Sequence, residues 1–586
     1  MAAGATLPLP TQGPVIQAAM DESEFEKAVQ MLQQTKQSNV DASLIAQREK
    51  IFRSNYHQLP PIPHSNLASF VLENATGSFA SKTAFVDGST GTSYSYSQMT
   101  ELVHRTVAGF VSLGLKPKDV VFLLSPNNPD FAIVYLAVVS LGAIVAPSNP
   151  LNTEADIAKQ LVQVNAKFVV TVPELLSKFG QNINTLPTIL IGDKTTTWEL
   201  KTTSSISFLS EILTKEVYVE APQPECHPDD TCTLLFSSGT TGLSKAVQIT
   251  HRNFMSAVTA YNTLEPGAST TEDDVCLAIV PLYHVYGLGI VFLATLQRGA
   301  SVVTMARYSL PAMLQYVERF KITVATLVPP IYVVLVKSAE LVAKYDLSSL
   351  RILATGAAPL REDTMKAIQT MFPHCVIRQG YGMTESPLIS FSVIENERQQ
   401  WGSVGPIVPG TEARISHIET TASLPAMATG EVWIRGPQVM KGYLNDPEQT
   451  AAAVDSEGWL HTGDLGYMDN NGYLYIVDRL KEMIKYKAHQ VAPGELEAVL
   501  LKHPRILDAA VIPFPDDEAG ELPMAFVVKR EGSDLNESEV MSFVGKLVAP
   551  YKKVRKVEFI NAIPKSATGK ILRKELIVKI RQQLTS

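Results

Sequence analysis

Between Ser237 and Lys245 the chain reads SSGTTGLSK, directly after the apolar run Thr231–Phe236, which reads as a strand. Three serines, two threonines and two glycines place many hydroxyl and backbone N–H donors in one loop with little side-chain bulk. Such a loop can wrap the oxygens of a polyphosphate, and Lys245 adds a point charge. The plainer alternative is a polar surface loop. The Gly-x-x-x-x-Gly-Lys-Ser/Thr spacing of a Walker loop is absent, which argues against a P-loop nucleotide hydrolase.

Other short strings carry chemistry of the same kind. Gly458–Asp464 reads GWLHTGD, Arg479–Lys485 reads RLKEMIK and Gln379–Glu385 reads QGYGMTE. Pro281–Gly287 reads PLYHVYG, and Pro564–Leu572 reads PKSATGKIL. With these strings the chain, from about Ile51 onward, resembles the adenylate-forming superfamily of acyl- and aryl-CoA ligases, luciferases and peptide-synthetase adenylation domains. The closest overall likeness is to plant 4-coumarate–CoA ligases and their relatives.

That resemblance implies a nucleotide site. Ser237, Ser238, Gly239, Thr240, Thr241, Gly242 and Lys245 would hold phosphates. Asp464 would accept from two vicinal ribose hydroxyls, which suits a carboxylate, and Arg479 would donate to the same sugar. Tyr381 would lie on the adenine face, with Gln379, Gly380 and the small residues Gly356–Pro359, Ala357 among them, leaving room for the base. Thr384 would meet the α-phosphate, and Glu385 would offer a hard oxygen to Mg²⁺. His284 would orient the acid's carboxylate and gate its entry. Tyr286, Ala357, Gly382, Pro387 and Leu388 would line the acid pocket.

Lys570 would reach between carboxylate and α-phosphate, where a cation offsets the repulsion of two anions. Lys485 and Gln490 match two further catalytic positions, Lys487 and Ala488 match the segment that meets coenzyme A, and Lys481 matches the hinge. Arg307 stands where such ligases carry a CoA-contacting lysine; it keeps the charge and changes the geometry. Outside this context the readings are blander. A single histidine is usually a core residue, an Asp beside Gly a turn residue, and a lysine in a glycine turn solvated.

The implied reaction joins a carboxylic acid to coenzyme A at the expense of Mg·ATP, through an acyl-AMP, with a small domain that turns between the two steps. The expected acid is a hydroxycinnamate. Departures from the coumarate-ligase strings keep a medium- or long-chain fatty acid or an oxylipin acid as the alternative: Ser386-Pro387-Leu388 after Glu385, Val432-Trp433 for Ile-Cys, Ala488-His489 for Gly-Phe, and Ala246 for Gly. A nucleotide-binding relative without activity would be expected to lose Lys570, Glu385 or Asp464, and all three are present.

These residues need a scaffold. Hydrophobic periodicity predicts strands at Val120–Leu124, Phe168–Val172, Thr323–Val328 and Arg351–Ala354. They alternate with helices at Phe131–Leu141, Glu154–Val164, Ile331–Leu341 and Glu362–Met371. Such alternation implies mainly parallel sheets covered on both faces. After Gly402 come short strands and Gly/Pro turns, Gly430–Ile434 and Tyr473–Val477 among them. Beyond about Arg479 a smaller unit holds strands Ala509–Ile512 and Met524–Val528 and a helix from Glu537 to Val548, capped by Asn536 with Glu539. The expected fold is α/β, of the adenylate-forming type. The resemblance implies a large domain of αβ-layered sheets plus a small β-barrel (51–478) before a small mobile α+β domain (482–586), with the hinge at Lys481. Residues 1–50 read as a flexible extension with one weak helical pattern, Phe25–Leu32.

At 586 residues the chain is long enough for at least two domains, and 18% charged against 45% hydrophobic residues argues against wholesale disorder. The net charge of -8, with no dense basic block before the C-terminal hundred residues, argues against a nucleic-acid reader. The basic stretch Lys570–Lys579 reads as a solvated amphipathic helix. Cys226, Cys232, Cys276 and Cys375 form no CxxC pair and read as reduced thiols. Neither a secretory leader nor a bilayer span is expected: Phe131–Ala146 is too short, and Val275–Leu296 is broken by Pro281 and His284. The C-terminal Leu584-Thr585-Ser586 is not a Ser-Lys-Leu signal, so a cytoplasmic enzyme is expected over a peroxisomal one, with no obligatory protein partner.

Overall fold

The computed structural model describes residues 50–54, 58–192, 206–214, 225–237, 244–264, 270–360, 362–392, 401–487, 489–516, 518–566 and 569–585. The Phe25–Leu32 pattern and the centre of the phosphate loop, Ser238–Gly242, lie outside these residues, as does Ala488.

Two eight-stranded sheets form the bulk of the large domain. One runs Gly442–Tyr443, Lys245–Thr250, Thr231–Ser237, Ile144–Pro147, Val120–Leu124, Phe168–Thr171, Thr188–Leu190 and Ile206–Phe208. It is parallel from Thr231–Ser237 onward and antiparallel at the end where Lys245–Thr250 pairs with both its neighbours. The other is parallel through its centre, from Val376–Met383 by way of Ile352–Thr355, Val324–Leu327 and Val275–Ala278 to Ser301–Thr304 and Thr83–Asp87.

One hydrophobic core spans both sheets, and the helix Pro129–Ser140 lies within it, apolar all round and buried at almost every position. A helix with no polar face belongs between layers rather than on a surface. Its start is fixed by Pro129 in the first turn and by Asn128, whose side chain accepts from the N–H of Phe131 at 2.8 Å. The helix His251–Asn262 beside it opens with a capping box between Thr250 and Asn253. The small barrel expected after Gly402 is a six-stranded antiparallel sheet with Phe52–Arg53 as one edge strand and Gly405–Pro406 as the other.

The small domain is a five-stranded sheet with helices Pro493–Leu500, Glu537–Gly545 and Arg573–Thr585. Its two apolar clusters draw on residues from Ile484 onward.

Several boundaries differ from expectation. The helix expected over Ile331–Leu341 is Pro329–Lys337 followed by Ala339–Val342, parted where Ser338 adopts φ −109°, ψ 30°. The strands expected over Ala509–Ile512 and Met524–Val528 are longer, Ile506–Asp516 and Gly520–Lys529. They pair through Pro513 opposite Pro523, at positions where proline reads as a strand end. The C-terminal helix begins at Arg573, and its cations are not all solvated. Arg573 donates to both oxygens of Glu497 at 2.7 and 2.8 Å and to Glu482 at 2.6 Å, and Lys579 pairs with Glu558 at 2.6 Å. Among the described residues no helix is long and apolar enough to cross a membrane, and all four thiols are free.

Candidate active site

The strands Leu460–Met468 and Tyr473–Arg479 form a hairpin that sets Asp464 directly opposite Arg479. Arg479 Nε lies 3.1 Å from Oδ1 of Asp464, and the Tyr381 hydroxyl donates to Oδ2 at 2.6 Å. Asp464 is 3% exposed. Burial pushes its carboxyl above the ordinary range, and Arg479, Tyr381 and Lys570 pull against that rise. Tyr381 comes from Val376–Met383, the strand beside Ile352–Thr355, so sugar-binding and base-binding candidates meet from two different sheets.

Glycine is required in this strand. A Cβ on Gly382 would stand 2.5 Å from the Pro387 carbonyl oxygen, and one on Gly380 would stand 2.7 Å from the Phe391 ring. Ala357 follows the end of Ile352–Thr355 with φ +67°, a left-handed conformation that costs an alanine about 1–2 kcal/mol. Gln379 does not offer its amide to the cleft. The side chain is buried, accepts from the Leu360 N–H at 2.8 Å and donates to the Ser403 carbonyl at 3.1 Å. Its part is to brace the turn beyond Ala357.

The second strongly built group surrounds Glu385, which is 8% exposed. The Tyr443 hydroxyl donates to its Oε1 at 2.9 Å, and Lys245 Nζ sits 4.4 Å from the centre of the Tyr443 ring. Lys245 also donates to Gln449 at 2.7 Å, so the end of the SSGTTGLSK string is tied to the Glu385 carboxylate through one tyrosine. Ser237, at the end of Thr231–Ser237, and Thr384, which precedes Glu385, are both half-buried. Among the described residues no three carboxylate, histidine or cysteine side chains gather as a metal cage. One carboxylate with an oxygen left over suits Mg²⁺, which binds through one or two carboxylates plus phosphates and water.

PLYHVYG leads from strand Val275–Ala278 into a π-helical turn, Gly287–Leu293. The turn is tight, since a Cβ on Gly287 would stand 2.1 Å from the Pro281 carbonyl oxygen. His284 is half-buried, and its Nδ1 accepts the Tyr286 N–H at 3.3 Å, which leaves the proton on Nε2. Burial, and then the neighbouring Lys570, push the imidazole down to about 4. Tyr286 packs over Gly356, where a Cβ would meet its ring at 2.9 Å, and its buried hydroxyl has no hydrogen-bond partner among the described residues. Pro387 and Leu388 are buried in the strand Ser386–Phe391.

Lys570 arrives from the small domain. Ser566 shapes its turn, accepting the Lys570 N–H at 3.1 Å through its side chain and donating its own N–H to the Lys570 carbonyl at 2.8 Å. Gly569, at φ +79°, lies against the large domain, where a Cβ would stand 2.5 Å from Pro330. Burial and Arg479 lower the Lys570 ammonium below the usual lysine range, opposed by Glu482 and Asp464. A second contact crosses Lys481: the Gly494 N–H, at the start of helix Pro493–Leu500, donates to Asp478 Oδ2 at 2.8 Å.

The structure thus brings Tyr381, Asp464, Arg479, His284 and Lys570 into one connected group, with Lys570 within electrostatic reach of both His284 and Asp464. It leaves Lys485 and Lys487 exposed on the hairpin of Ile484–Tyr486 and His489–Val491, where Lys485 stands opposite Gln490. Lys481 and Arg307 are also exposed. Tyr443 and Asp478 went unnoticed in the sequence, because neither stands in a string whose chemistry is evident from its neighbours.

Residues 72–444 match the AMP-binding enzyme family, and residues 495–570 match the AMP-binding enzyme C-terminal domain. A probable CoA ligase, CCL5, of Humulus lupulus is 43% identical over 89% of this chain and 94% of its own length. The peroxisomal OPC-8:0-CoA ligase 1 of Arabidopsis thaliana is 41% identical over 89% and 94%, and the 4-coumarate–CoA ligase of Pinus taeda 41% over 91% and 98%. Among solved structures, ATP-bound MatB from Rhodopseudomonas palustris superposes with a TM-score of 0.77 at 26% identity, covering 87% of this chain and 98% of that one. The chain therefore belongs to the AMP-binding enzyme family of the adenylate-forming superfamily.

Proposed function

We propose that this enzyme is an ATP-dependent carboxylate–CoA ligase whose acid is a hydroxycinnamate. The observation that supports the reading is the nearness of Lys570 to His284 beside the Tyr381–Asp464–Arg479 cluster, which in the proposed roles are a mobile cation, an acid-orienting group and a ribose site. A carboxylate oxygen of the acid, held by the Nε2 proton of neutral His284, attacks the α-phosphorus of ATP. The bond from that phosphorus to the bridging oxygen breaks, and pyrophosphate leaves. Lys570 balances the charge that builds in the transition state. Glu385, held by Tyr443, and the phosphates would hold Mg²⁺, which supplies charge neutralisation of the leaving pyrophosphate.

The small domain, residues 482–586, then turns about Lys481 against the large domain, residues 51–478. Lys570 withdraws, and Lys485, Lys487, Ala488 and Gln490 approach the acyl group, with Arg307 as a contact for coenzyme A. The thiol gives up its proton, sulfur bonds to the activated carbonyl carbon, and AMP departs with the electrons of the anhydride bond. Ser237–Lys245 holds phosphates, Thr384 meets the α-phosphate, and Ala357, Gly380 and Gly382 leave room for base and acid.

The buried, unpartnered Tyr286 hydroxyl favours an acid with a polar group of its own. An oxylipin acid satisfies the same condition, and the OPC-8:0-CoA ligase relative supports it as the second reading. Four free thiols suit a reducing compartment, and we assign the enzyme to the cytoplasm.

The test is thioester formation and AMP release from Mg·ATP and coenzyme A across coumaric, ferulic, cinnamic, benzoic, C6–C18 fatty and oxylipin acids. Coumaroyl- or feruloyl-CoA is the expected product. Thioesters from chain acids alone would overturn the hydroxycinnamate reading, AMP without thioester would overturn coenzyme A as acceptor, and silence would overturn the enzyme.

A further inference from the structure

The ribose candidate Asp464 sits in an irregularity of its sheet. Where Gly430–Arg435 pairs with Leu460–Met468, Glu431 stands opposite Leu465 and Trp433 opposite His461, so Thr462, Gly463 and Asp464 together face Val432 alone. Extra residues in one strand re-aim a side chain and deprive backbone N–H groups of their ladder partners.

The side chains around the bulge replace those partners one by one. Thr462 Oγ1 donates to the Val432 carbonyl at 2.6 Å and accepts the Asp464 N–H at 3.1 Å. Gly463, at φ +68°, gives its N–H to Oε1 of Glu431 at 3.0 Å. The other Glu431 oxygen accepts the Trp433 indole N–H at 2.8 Å. Trp433 is 6% exposed and lies flat on His461, with centroids 3.8 Å apart and planes 11° apart, and the Arg414 guanidinium stands 4.3 Å from its ring centre. Trp433 therefore grips the bulge at both ends: its ring holds the residue before Thr462, and its N–H holds the carboxylate that fixes Gly463.

We infer that Glu431 and Trp433 are positioning residues for nucleotide recognition, acting through Gly463 to hold the Asp464 carboxylate at the ribose hydroxyls. This rests on the ribose reading of Asp464 given above. The side-chain hydrogen bonds of Glu431 and Trp433 go to Gly463 and to each other, and the Asp464 carboxylate is met by Tyr381 and Arg479. Their effect is on where its backbone leaves the strand.

The experiment compares ATP with 2′-deoxy-ATP in acid-dependent pyrophosphate exchange by the full-length enzyme. Glu431→Ala should raise the KM for ATP about 10-fold, the loss of one hydrogen bond to a charged acceptor, with the KM for the acid unchanged. The same variant should lose far less with 2′-deoxy-ATP, so that discrimination between the two nucleotides collapses. Glu431→Gln keeps one acceptor oxygen and should recover part of that discrimination. Trp433→Phe keeps the stack and removes the N–H, and should fall between wild type and Glu431→Ala. Equal losses with both nucleotides in Glu431→Ala and Trp433→Phe would overturn the inference, since a general weakening of the sheet does not read one hydroxyl. Asp464→Asn is the separate control: if it leaves the nucleotide ratio untouched, the ribose reading itself falls.

Discussion

The hydroxyl of Tyr443 donates to Oε1 of Glu385 at 2.9 Å, while the cation of Lys245 rests 4.4 Å from the centre of the same ring. One tyrosine thereby links the phosphate loop to the carboxylate proposed for Mg²⁺. Tyr443→Phe keeps the ring and the cation–π contact and frees the carboxylate to rotate. We expect the Mg²⁺ concentration for half-maximal pyrophosphate exchange to rise about 10-fold, the scale of one hydrogen bond to a charged group. Mg²⁺ binding followed by calorimetry with a non-hydrolysable ATP analogue should weaken in parallel. An unchanged Mg²⁺ profile would show that the bond does not orient Glu385.

Lys570 is the one site lysine that the structure buries near both His284 and Asp464. Lys570→Ala should slow acyl-AMP formation by about 10²–10³, the usual scale for removing one charge-stabilising donor. Thioester formation from preformed acyl-AMP should stay close to wild type. Rapid-quench measurement of the two half-reactions decides it, and equal losses in both would defeat the division of labour.

Burial and Lys570 hold His284 at about 4, against 6.5 for an ordinary imidazole. Between those values the unfolded chain binds the proton and the folded chain does not, so this residue's contribution to stability falls as the pH drops through that window. Above about 4 the ring is neutral, with Nε2 ready to donate. Adenylation should therefore show no acid limb at 6.5 arising from His284. In Lys570→Ala the His284 resonance, tracked by ¹⁵N NMR with His284→Gln for assignment, should titrate at higher pH than in wild type. A shift in the other direction would contradict the proximity of the two groups.

Arg573 holds Glu497 and Glu482 together inside the small domain, and the Val511 carbonyl accepts its Nε at 3.1 Å. Arg573→Ala leaves buried carboxylate without its cation, which typically costs 3–5 kcal/mol, or about that much here. Limited proteolysis and urea unfolding should show the small domain opening first. Pairwise replacement of Arg573 and Glu497 by Met and Leu should recover most of the loss.

The grouping of Tyr381, Asp464, Arg479, His284 and Lys570 was legible because each stands in a short contiguous string. What escaped were pairings between distant strands. Glu431 with Gly463, Tyr443 with Glu385, and Asp478 with Gly494 are ordinary residues until the fold brings them together. The alternation of strands and helices followed from periodicity, and the helix Glu362–Met371 matches its expected span end to end. Strand lengths failed at Pro513 and Pro523, since the chain alone does not say that two prolines will face one another across a hairpin. The replacement of Cys by Trp at 433 was visible as a departure, but its meaning required the flat contact with His461.

The hydrogen bond from Gly494 to Asp478 joins residues on opposite sides of Lys481. With Lys481 as pivot, any swing of the small domain parts them. A hydrogen bond worth about 1 kcal/mol tilts a two-state equilibrium roughly five-fold. That is too little to lock the enzyme and enough to choose where it waits. On the proposed mechanism, with Lys481 as the hinge, this bond favours the arrangement in which Lys570 already stands near His284, so that nucleotide and acid would be met first and the thiol last.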